Sequence, residues 1–288
     1  TYQYKNIEIV YTKGKPNYFW EQITLARYCK KNKPFDLLNL CNIAPILYPG
    51  SCVIHDLGCI DAKNGFSRKQ VFIYKFINRR NVKKYKHIFT VSNCMKQRIE
   101  EYYKVKNVQV IYNGYEHFDN ASVSKPKFDL PDKYYFAVGS MNPNKNFVSI
   151  VKMAVNNPNE IFYIAGGTAK NFKKMQLDIP QNVIFTGYLE DSELAYLYKN
   201  CFAFLFPSIY EGFGIPPLEA FVLGCKTVIC NDIPVLKEVY HDFAIFIDYS
   251  YNVNLSKIVS NQNIDLTELK TRFSWERSAN KLVEVYRA

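Results

Sequence analysis

The sequence of 288 residues lacks the patterns that would place it at once among metal-binding, disulfide-rich or membrane proteins. Its eight cysteines include no CxxC pair, and His87 and His117 have no cysteine partner at zinc-finger spacing, so no metal site is predicted. Disulfide frameworks belong to small secreted chains, and we therefore interpret the cysteines as reduced thiols of a cytoplasmic protein. No apolar run reaches the length of a membrane span, and no signal peptide is recognised at the start.

What the sequence does contain is typical of a soluble globular protein. Hydrophobic residues make up 48% and charged residues 22% of the chain, and the aromatic share of 16% is high. The length suits two medium-sized α/β domains better than one. The formal net charge of +11 predicts an acidic partner, which leaves a nucleic acid, an anionic membrane surface or a phosphorylated substrate as alternatives.

Short apolar runs recur along the chain and predict β-strands. In the second half each run is followed by a helical pattern, which indicates repeated βα units and parallel sheets covered on both faces. The fold class is therefore α/β, with doubly wound sheets. The clear runs lie at 134–140, 162–167, 183–189, 201–208, 226–230 and 244–248, and the looser ones at 7–12, 35–40, 52–57, 87–92 and 108–113.

A polar stretch with prolines and serines at 119–133 is the best candidate for a linker between two domains. We place the boundary near residue 125, which gives an N-terminal domain at 1–125 and a C-terminal domain at 126–272. Residues 273–288 predict an amphipathic helix with Ser274 as its N-cap. Because ligands of open α/β sheets bind at the carboxyl ends of the strands, the loops that follow strands are the candidate sites.

The loop SIYEGFGIPPLEA at 208–220 carries two carboxylates, Glu211 and Glu219. Its glycines allow the backbone to approach a ligand, and its two prolines favour a helix start with Glu219 in the first turn. Free N–H groups at such a helix start attract an anion such as phosphate. The alternative is that Glu211 is a solvated loop residue and Glu219 only a charge at a helix start.

Three other loops follow predicted strands. GSMNPNKN at 139–146 carries Lys145, which can balance a diphosphate, while Asn142 or Asn146 can cap the following helix. GYLEDSEL at 187–194 predicts a helix start capped by Asp191. VIHDLG at 53–58 places His55 at a strand end, where it can contact a sugar or transfer a proton, although a structural role is an open alternative.

These loops together resemble a known family, the retaining glycosyltransferases of family 4 with the GT-B fold. The specific element is the E-x7-E motif EGFGIPPLE, preceded by FLFPSIY and followed by AFVLGCKTVICNDIPVLKEV. Further matches are FAVGSMNPNKN, VIFTGYLEDSEL, VIYNGYEHF, HIFTVSNCMKQRI, VIHDLG and FSWERSANKLVEVY. The resemblance runs from about residue 18 and is strongest at 134–250. It implies two Rossmann-like domains that face a cleft.

The resemblance also implies a role for each motif residue. Glu211 faces the donor sugar, Glu219 holds the ribose of a nucleoside diphosphate sugar, Lys145 binds the diphosphate, and His55 reaches the sugar from the N-terminal domain as the second catalytic candidate. The other expected nucleotide-sugar contacts are the loop residues Gly139 and Ser140, Tyr188 and Leu189 around the base, and the backbone amides of Gly212, Phe213, Gly214 and Ile215.

The implied reaction transfers a hexose, with retention, to a glycan or lipid-linked acceptor. In this family a lysine and a helix N-terminus stabilise the leaving diphosphate in place of a metal ion. The nucleoside diphosphate sugar is a substrate, so no cofactor is expected. The sequence departs from the family where many members carry arginines, at Ser140 and Asn144. The family also normally opens with a strand and a glycine-rich loop, and Thr1 is expected to lie inside the N-terminal domain.

The segment at 68–87 carries eight lysines and arginines interleaved with apolar residues. It predicts an amphipathic helix that rests on anionic lipid, at the inner face of the plasma membrane, or alternatively a solvated helix face.

Competing functions are a sugar-nucleotide epimerase with the same fold and, less favoured, a glycoside hydrolase that uses the two carboxylates. A nucleic-acid binder would explain the charge, but no such motif is recognised and no nucleic-acid partner is expected.

Overall fold

The computed structural model describes residues 6–14, 18–62, 66–119, 121–167, 178–250, 253, 255 and 265–288. Two parallel sheets organise the described chain. The first sheet has four strands in the order β1-β2-β3-β4, and every neighbouring pair in it is parallel. Its strands are short: β1 Leu38–Asn39, β2 Ser51–Val53, β3 Ile88–Thr90 and β4 Gln109–Val110.

The second sheet has six parallel strands, which are β5 Tyr135–Val138, β6 Phe162–Ala165, β7 Val183–Gly187, β8 Ala203–Phe206, β9 Val228–Asn231 and β10 Ile245–Ile247. Their order is β10-β9-β8-β5-β6-β7. The sheet therefore grows outward in both directions from the adjacent pair β5 and β8. In doubly wound sheets a ligand crevice opens at the carboxyl ends of the strands where the order reverses.

Helices connect the strands and cover the sheets. They are α1 Ala26–Asn32, α2 Gly58–Asp61, α3 Arg68–Asn81, α4 Asn93–Tyr103, α5 Phe147–Asn156, α6 Asp191–Asn200, α7 Ile215–Val222, α8 Pro234–Tyr240, α9 Leu266–Arg272 and α10 Trp275–Arg287. Three shorter elements complete the described set, a π-helix Trp20–Leu25 before α1 and two 3₁₀ turns, Glu116–Phe118 and Pro143–Lys145.

Local hydrogen bonds explain where several helices begin. The Ser274 hydroxyl accepts from the Arg277 N–H, so the predicted cap of α10 is confirmed. The predicted cap of α6 was wrong by one residue. Glu190 holds that position, because its side chain and that of Glu193 form a reciprocal capping box and leave Asp191 inside the helix.

The four central strands of the second sheet, β5, β6, β8 and β9, are buried on both faces, which explains their continuous apolar sequences. Phe136 and Phe204 are fully buried in a cluster on one face, and Ile164 and Leu205 lie in a second cluster on the other face. The first sheet has its own apolar cluster around Ile54 and Ile99. The predicted α/β fold with two parallel sheets is thus confirmed. The second sheet is doubly wound, whereas the four described strands of the first sheet follow one another in sequence order.

One predicted strand was wrong. Residues 7–12 form no strand beyond a single bridge residue, Ile7. A strand needs a partner for its backbone groups, and β1 pairs only with β2 among the described residues.

The chain passes between the two sheets after Val110 and before Tyr135; the domain boundary at 125 stays a prediction. At the other end α10 returns to the first half, where the Tyr286 hydroxyl donates to Asp36 Oδ2 at 2.5 Å.

Candidate nucleotide-sugar site

Two loops meet at the point where the strand order of the second sheet reverses. The loop after β5 leads to Lys145, and the loop after β8 leads to Glu211. The loops are joined by their backbones, since the Ile209 N–H donates to the Asn144 carbonyl oxygen at 2.9 Å. The Asn146 side-chain amide donates to the Pro207 carbonyl oxygen at 3.3 Å. Residues that are about 60 positions apart in sequence therefore form one surface.

The central feature of this surface is an ion pair. Lys145 Nζ lies 2.6 Å from Glu211 Oε1, and the two side chains are only 23% and 13% exposed. Asn142 accepts from the Asn144 N–H and so caps the 3₁₀ turn that carries Lys145. The lysine stem lies 3.6 Å from where a Cβ on Gly139 would stand. A cation and a carboxylate are thus held together at the crevice.

The helix after the glycine loop, α7, begins at Ile215 with Gly214 as its N-cap. Gly214 has φ +87°, and a Cβ there would lie 2.7 Å from a Leu236 methyl group, so the turn requires glycine. The expectation that Glu219 lies in the first turn was wrong. Glu219 is the fifth residue of α7, so its position is set by hydrogen bonds and not by the helix end.

Both oxygens of Glu219 have a donor. The hydroxyl of the fully buried Tyr198 on α6 donates to Oε2 at 2.7 Å, and His117 Nε2 lies 3.0 Å from Oε1. Burial, followed by the nearby Glu219 carboxylate, raises the pKa of Tyr198 well above its ordinary value, so the phenol stays protonated and remains a donor. The sequence signalled neither residue, because they are 21 and 102 positions from Glu219.

The first sheet contributes the opposite wall. His55 follows β2, its N–H donates to Asn42 Oδ1 at 2.5 Å, and its ring Nε2 lies 2.7 Å from the Leu40 carbonyl oxygen. A Cβ on Gly212 would lie only 2.0 Å from the His55 carbonyl oxygen, so the two backbones are in direct contact. His55 and the glutamate loop therefore lie side by side, while the catalytic role of His55 stays a prediction.

Two further hydrogen bonds cross between the halves beside this contact. The Leu57 N–H donates to the Tyr210 hydroxyl at 3.0 Å. The buried Ser92 hydroxyl donates to the Gly212 carbonyl oxygen at 2.7 Å. The residue on either side of Glu211 is thus tied to the first half, which fixes the loop against both sheets.

The other predicted contacts differ in what they can offer a ligand. The side chain of Phe213 is only 2% exposed, since it packs among Tyr112, Tyr240 and Phe273, so only its backbone can contact a ligand. Tyr188 is 96% exposed, whereas Leu189 packs partly against the core. Ser140 is exposed at the start of the loop that follows β5. Their roles around the base and diphosphate stay predictions.

Within the described ranges no three histidines, cysteines or acidic side chains lie together as metal ligands would. None of the helices in the same ranges combines the length and apolar character needed to cross a membrane.

Two parallel α/β sheets that meet at their carboxyl ends define a GT-B fold. Residues 119–274 match the profile of the family described as glycosyl transferases group 1. The match covers more than half of the chain, so this protein belongs to that family, as its motifs predict.

Similar proteins agree with this assignment. The chain is 32% identical over 215 residues to the O-antigen chain mannosyltransferase RfbU of Salmonella typhimurium. The aligned region covers 71% of this chain and 58% of that protein. It is 25% identical to the serotype-specific mannosyltransferase WbdA of Escherichia coli, over 81% of this chain and 32% of that one. The chain therefore spans less than two thirds of the length of each of these relatives. The fold also resembles that of a sucrose-phosphate synthase from Thermosynechococcus elongatus, with a TM-score of 0.66, 18% identity, and coverage of 83% and 67% of the two chains.

Proposed function

We propose that this chain transfers a hexose, with mannose as the first candidate, from a nucleoside diphosphate sugar to a saccharide or lipid-linked acceptor. The transfer retains the anomeric configuration and uses no metal ion. The observation that carries the proposal is the ion pair of Lys145 and Glu211 at the crevice. Mannose comes first because RfbU and WbdA are mannosyltransferases by name.

The ion pair suggests how the donor is bound. A diphosphate that enters the crevice competes with Glu211 for the Lys145 ammonium, since both are anions. Glu211 is then free to accept hydrogen bonds from the sugar hydroxyls. We infer that the amides of residues 212–215 and the positive end of the α7 dipole stabilise the leaving phosphate.

The acceptor side belongs to the first sheet. With front-face attack, the leaving phosphate takes the proton from the acceptor hydroxyl as that hydroxyl bonds to the sugar carbon. The Nε2 atom of His55 is engaged with the Leu40 carbonyl oxygen, so a contact of His55 with the sugar must come from Nδ1. Glu211 serves in positioning and electrostatics and forms no covalent bond to the sugar.

A calorimetric screen tests the class and the donor together. Uridine, guanosine, thymidine and adenosine diphosphates and their mannose and glucose derivatives are titrated into the protein, and one base is expected to bind in the micromolar range. Transfer with the preferred donor is then measured with and without a chelator, and equal rates are expected. Failure to bind any nucleotide would overturn the proposal. Release of free sugar alone would favour a hydrolase, and conversion of the nucleotide sugar without acceptor would favour an epimerase.

We further propose that α3 rests on an anionic membrane surface, which would place the enzyme at the inner face of the plasma membrane. Arg68, Phe72, Phe76 and Arg80 recur every fourth residue and so share one helix face. Phe72 and Phe76 are 69% and 45% exposed, and their rings stack at 6.2 Å. The Arg80 guanidinium lies 5.2 Å from the Phe76 ring centre. Exposed aromatic rings between basic side chains are typical of interfacial helices.

Vesicle sedimentation tests this surface. The protein is expected to sediment with vesicles that contain phosphatidylglycerol and not with phosphatidylcholine alone, and to be released by salt. The double variant Phe72→Ser, Phe76→Ser should lose this binding, whereas Leu47→Ser, which removes another side chain that is 85% exposed, should retain it. Equal sedimentation with both lipids, or loss in the Leu47 variant as well, would contradict the proposal.

A further inference from the structure

His117 makes a contact that the proposed function does not yet use. It lies in the 3₁₀ turn Glu116–Phe118, which follows β4 and precedes the second sheet. Its Nε2 atom is 3.0 Å from Glu219 Oε1. A carboxylate oxygen only accepts hydrogen bonds, so Nε2 must carry the proton and donate. The segment that joins the two halves thus supplies a hydrogen-bond donor to Glu219, the residue proposed to hold the ribose.

The turn that carries His117 is held from both sides. Both Glu116 carboxylate oxygens accept from the Trp275 N–H at the start of α10, at 2.8 and 3.0 Å. The buried Phe118 packs its ring edge-on against Tyr198, with ring centres 6.4 Å apart. The His117 ring also lies against that of Phe118, at 4.9 Å. The backbone of His117 is therefore fixed, and the side chain is not that of a freely rotating surface residue.

We propose that His117 is a positioning residue of the ribose subsite, where it acts with Tyr198 to orient the Glu219 carboxylate toward a vicinal diol. The inference rests on the proposed function. A carboxylate offers about four acceptor positions on its two oxygens. His117 occupies one position on Oε1 and Tyr198 one on Oε2. One position on each oxygen is then left, which matches the two adjacent hydroxyls of a ribose.

The two donors are not equivalent. Tyr198 is completely buried and comes from the same half as Glu219, so it orients one oxygen from within the core. The His117 side chain is 39% exposed and comes from the segment between the sheets, so it orients the outer oxygen from the rim of the crevice. Removing His117 should leave the core intact and free the outer oxygen to rotate or to be hydrated.

Discrimination between ribose and deoxyribose tests this role. Affinities for GDP and 2′-deoxy-GDP, with UDP and 2′-deoxy-UDP as a second pair, are measured by calorimetry. We expect the wild type to prefer the ribose form of the bound base by about 10-fold, as for a hydrogen bond to a charged group. Both His117→Ala and Glu219→Ala should reduce the affinity for the ribose form by about 5- to 10-fold. The deoxy form keeps only its 3′-hydroxyl as a partner of Glu219 and should lose less affinity, so the preference for ribose falls.

Two control variants complete the design. His117→Gln retains a side-chain donor and should recover most of the preference for ribose. His241→Ala removes a histidine whose side chain is 75% exposed and whose ion-pair partner in the described part of the chain is its neighbour Asp242. This variant should bind as the wild type does. Equal losses for the ribose and deoxy forms in His117→Ala, or an unchanged preference, would overturn the positioning role.

The failure of this inference can be told apart from failure of the proposed function. If the wild type binds none of the four nucleoside diphosphates of the calorimetric screen, the nucleotide-sugar site itself is refuted. If the wild type and Glu219→Ala behave as expected and His117→Ala behaves as the wild type, only the role of His117 is refuted.

Discussion

The two halves of this protein differ in how completely they build their own core. Strands of the second sheet are three to five residues long and most are buried on both faces, whereas those of the first sheet have only two or three residues. Large exposed apolar side chains concentrate in the first half, for example Tyr11, Phe35, Leu47 and Phe72. The half that carries the E-x7-E loop is thus largely self-contained, and the half that faces it presents open apolar surface.

The first half also depends on contacts from the second. Glu238 on α8 accepts from the N–H groups of Asn93 and Cys94, both at 2.6 Å, and so caps α4 from across the interface. From the C-terminal helix α10, the ring of Tyr286 stacks near Phe89 of β3. The comparison indicates that the half with the E-x7-E loop builds its own core, whereas the first half is held in place by contacts from it. The following variants test this difference.

The largest effect is expected at Glu211. Glu211→Ala should lower turnover by about 100- to 1000-fold, while the nucleoside diphosphate dissociation constant changes by less than about 3-fold, because the carboxylate acts on the sugar in the transition state. The matched control is Glu160→Ala, which breaks another 2.6 Å pair with a lysine of the same half, and should turn over normally. Initial rates and calorimetry measure both. Unchanged turnover in Glu211→Ala would remove its assigned role.

Gly212→Ala probes the contact between the halves. The new Cβ would lie 2.0 Å from the His55 carbonyl oxygen, so the loop or the first half must shift. Turnover should fall on the order of 10- to 100-fold, as expected when reacting groups are displaced by about 1 Å. Gly224→Ala is the control, since φ is +95° there and nothing lies within 4 Å. It should cost about 1 kcal/mol of stability without loss of turnover. Similar turnover in both variants would show that the contact is unimportant.

Glu238→Ala tests the cap that the second half supplies to α4. Loss of an N-terminal cap should reduce the free energy of unfolding by about 1 to 2 kcal/mol, measured by urea denaturation. Glu284→Ala removes an exposed partner of Lys281 on α10 and should cost less than about 0.5 kcal/mol. If the two variants lose equally little stability, the first half does not rely on this contact.

The smallest effect is a pH dependence within the first half. Burial raises the pKa of Glu21 from its ordinary 4.5 to about 7, and the hydrogen bond from Asn39 offsets this only in part. The folded protein then holds this proton more tightly than the unfolded chain, so stability falls as pH rises from about 4.5 to about 7. At pH 8 the free energy of unfolding of Glu21→Gln, measured by urea denaturation, should therefore exceed that of the wild type by on the order of 1 kcal/mol after allowing for solvent screening. Near pH 4.5 the two proteins should be equally stable. A constant difference across that range would contradict the assignment.

Local patterns allowed much of this molecule to be predicted. Of the eleven apolar runs, ten correspond to the ten strands of the described residues, since strands of a covered parallel sheet are apolar on both faces. The same reasoning failed at 7–12, because an apolar run becomes a strand only where a neighbour pairs with it. Ser274 could be recognised as a cap because that interaction is completed within three residues.

The sequence by itself determined the class of fold, the family, and the loops that form the crevice, because periodicity, glycine and proline act locally and the E-x7-E loop is contiguous. Only the tertiary structure decided which side chains hold the two glutamates. Lys145 lies 66 positions from Glu211 and His117 lies 102 positions from Glu219. Such pairs depend on how elements that are far apart in the sequence are placed next to one another in the fold, and no short stretch of residues carries that information.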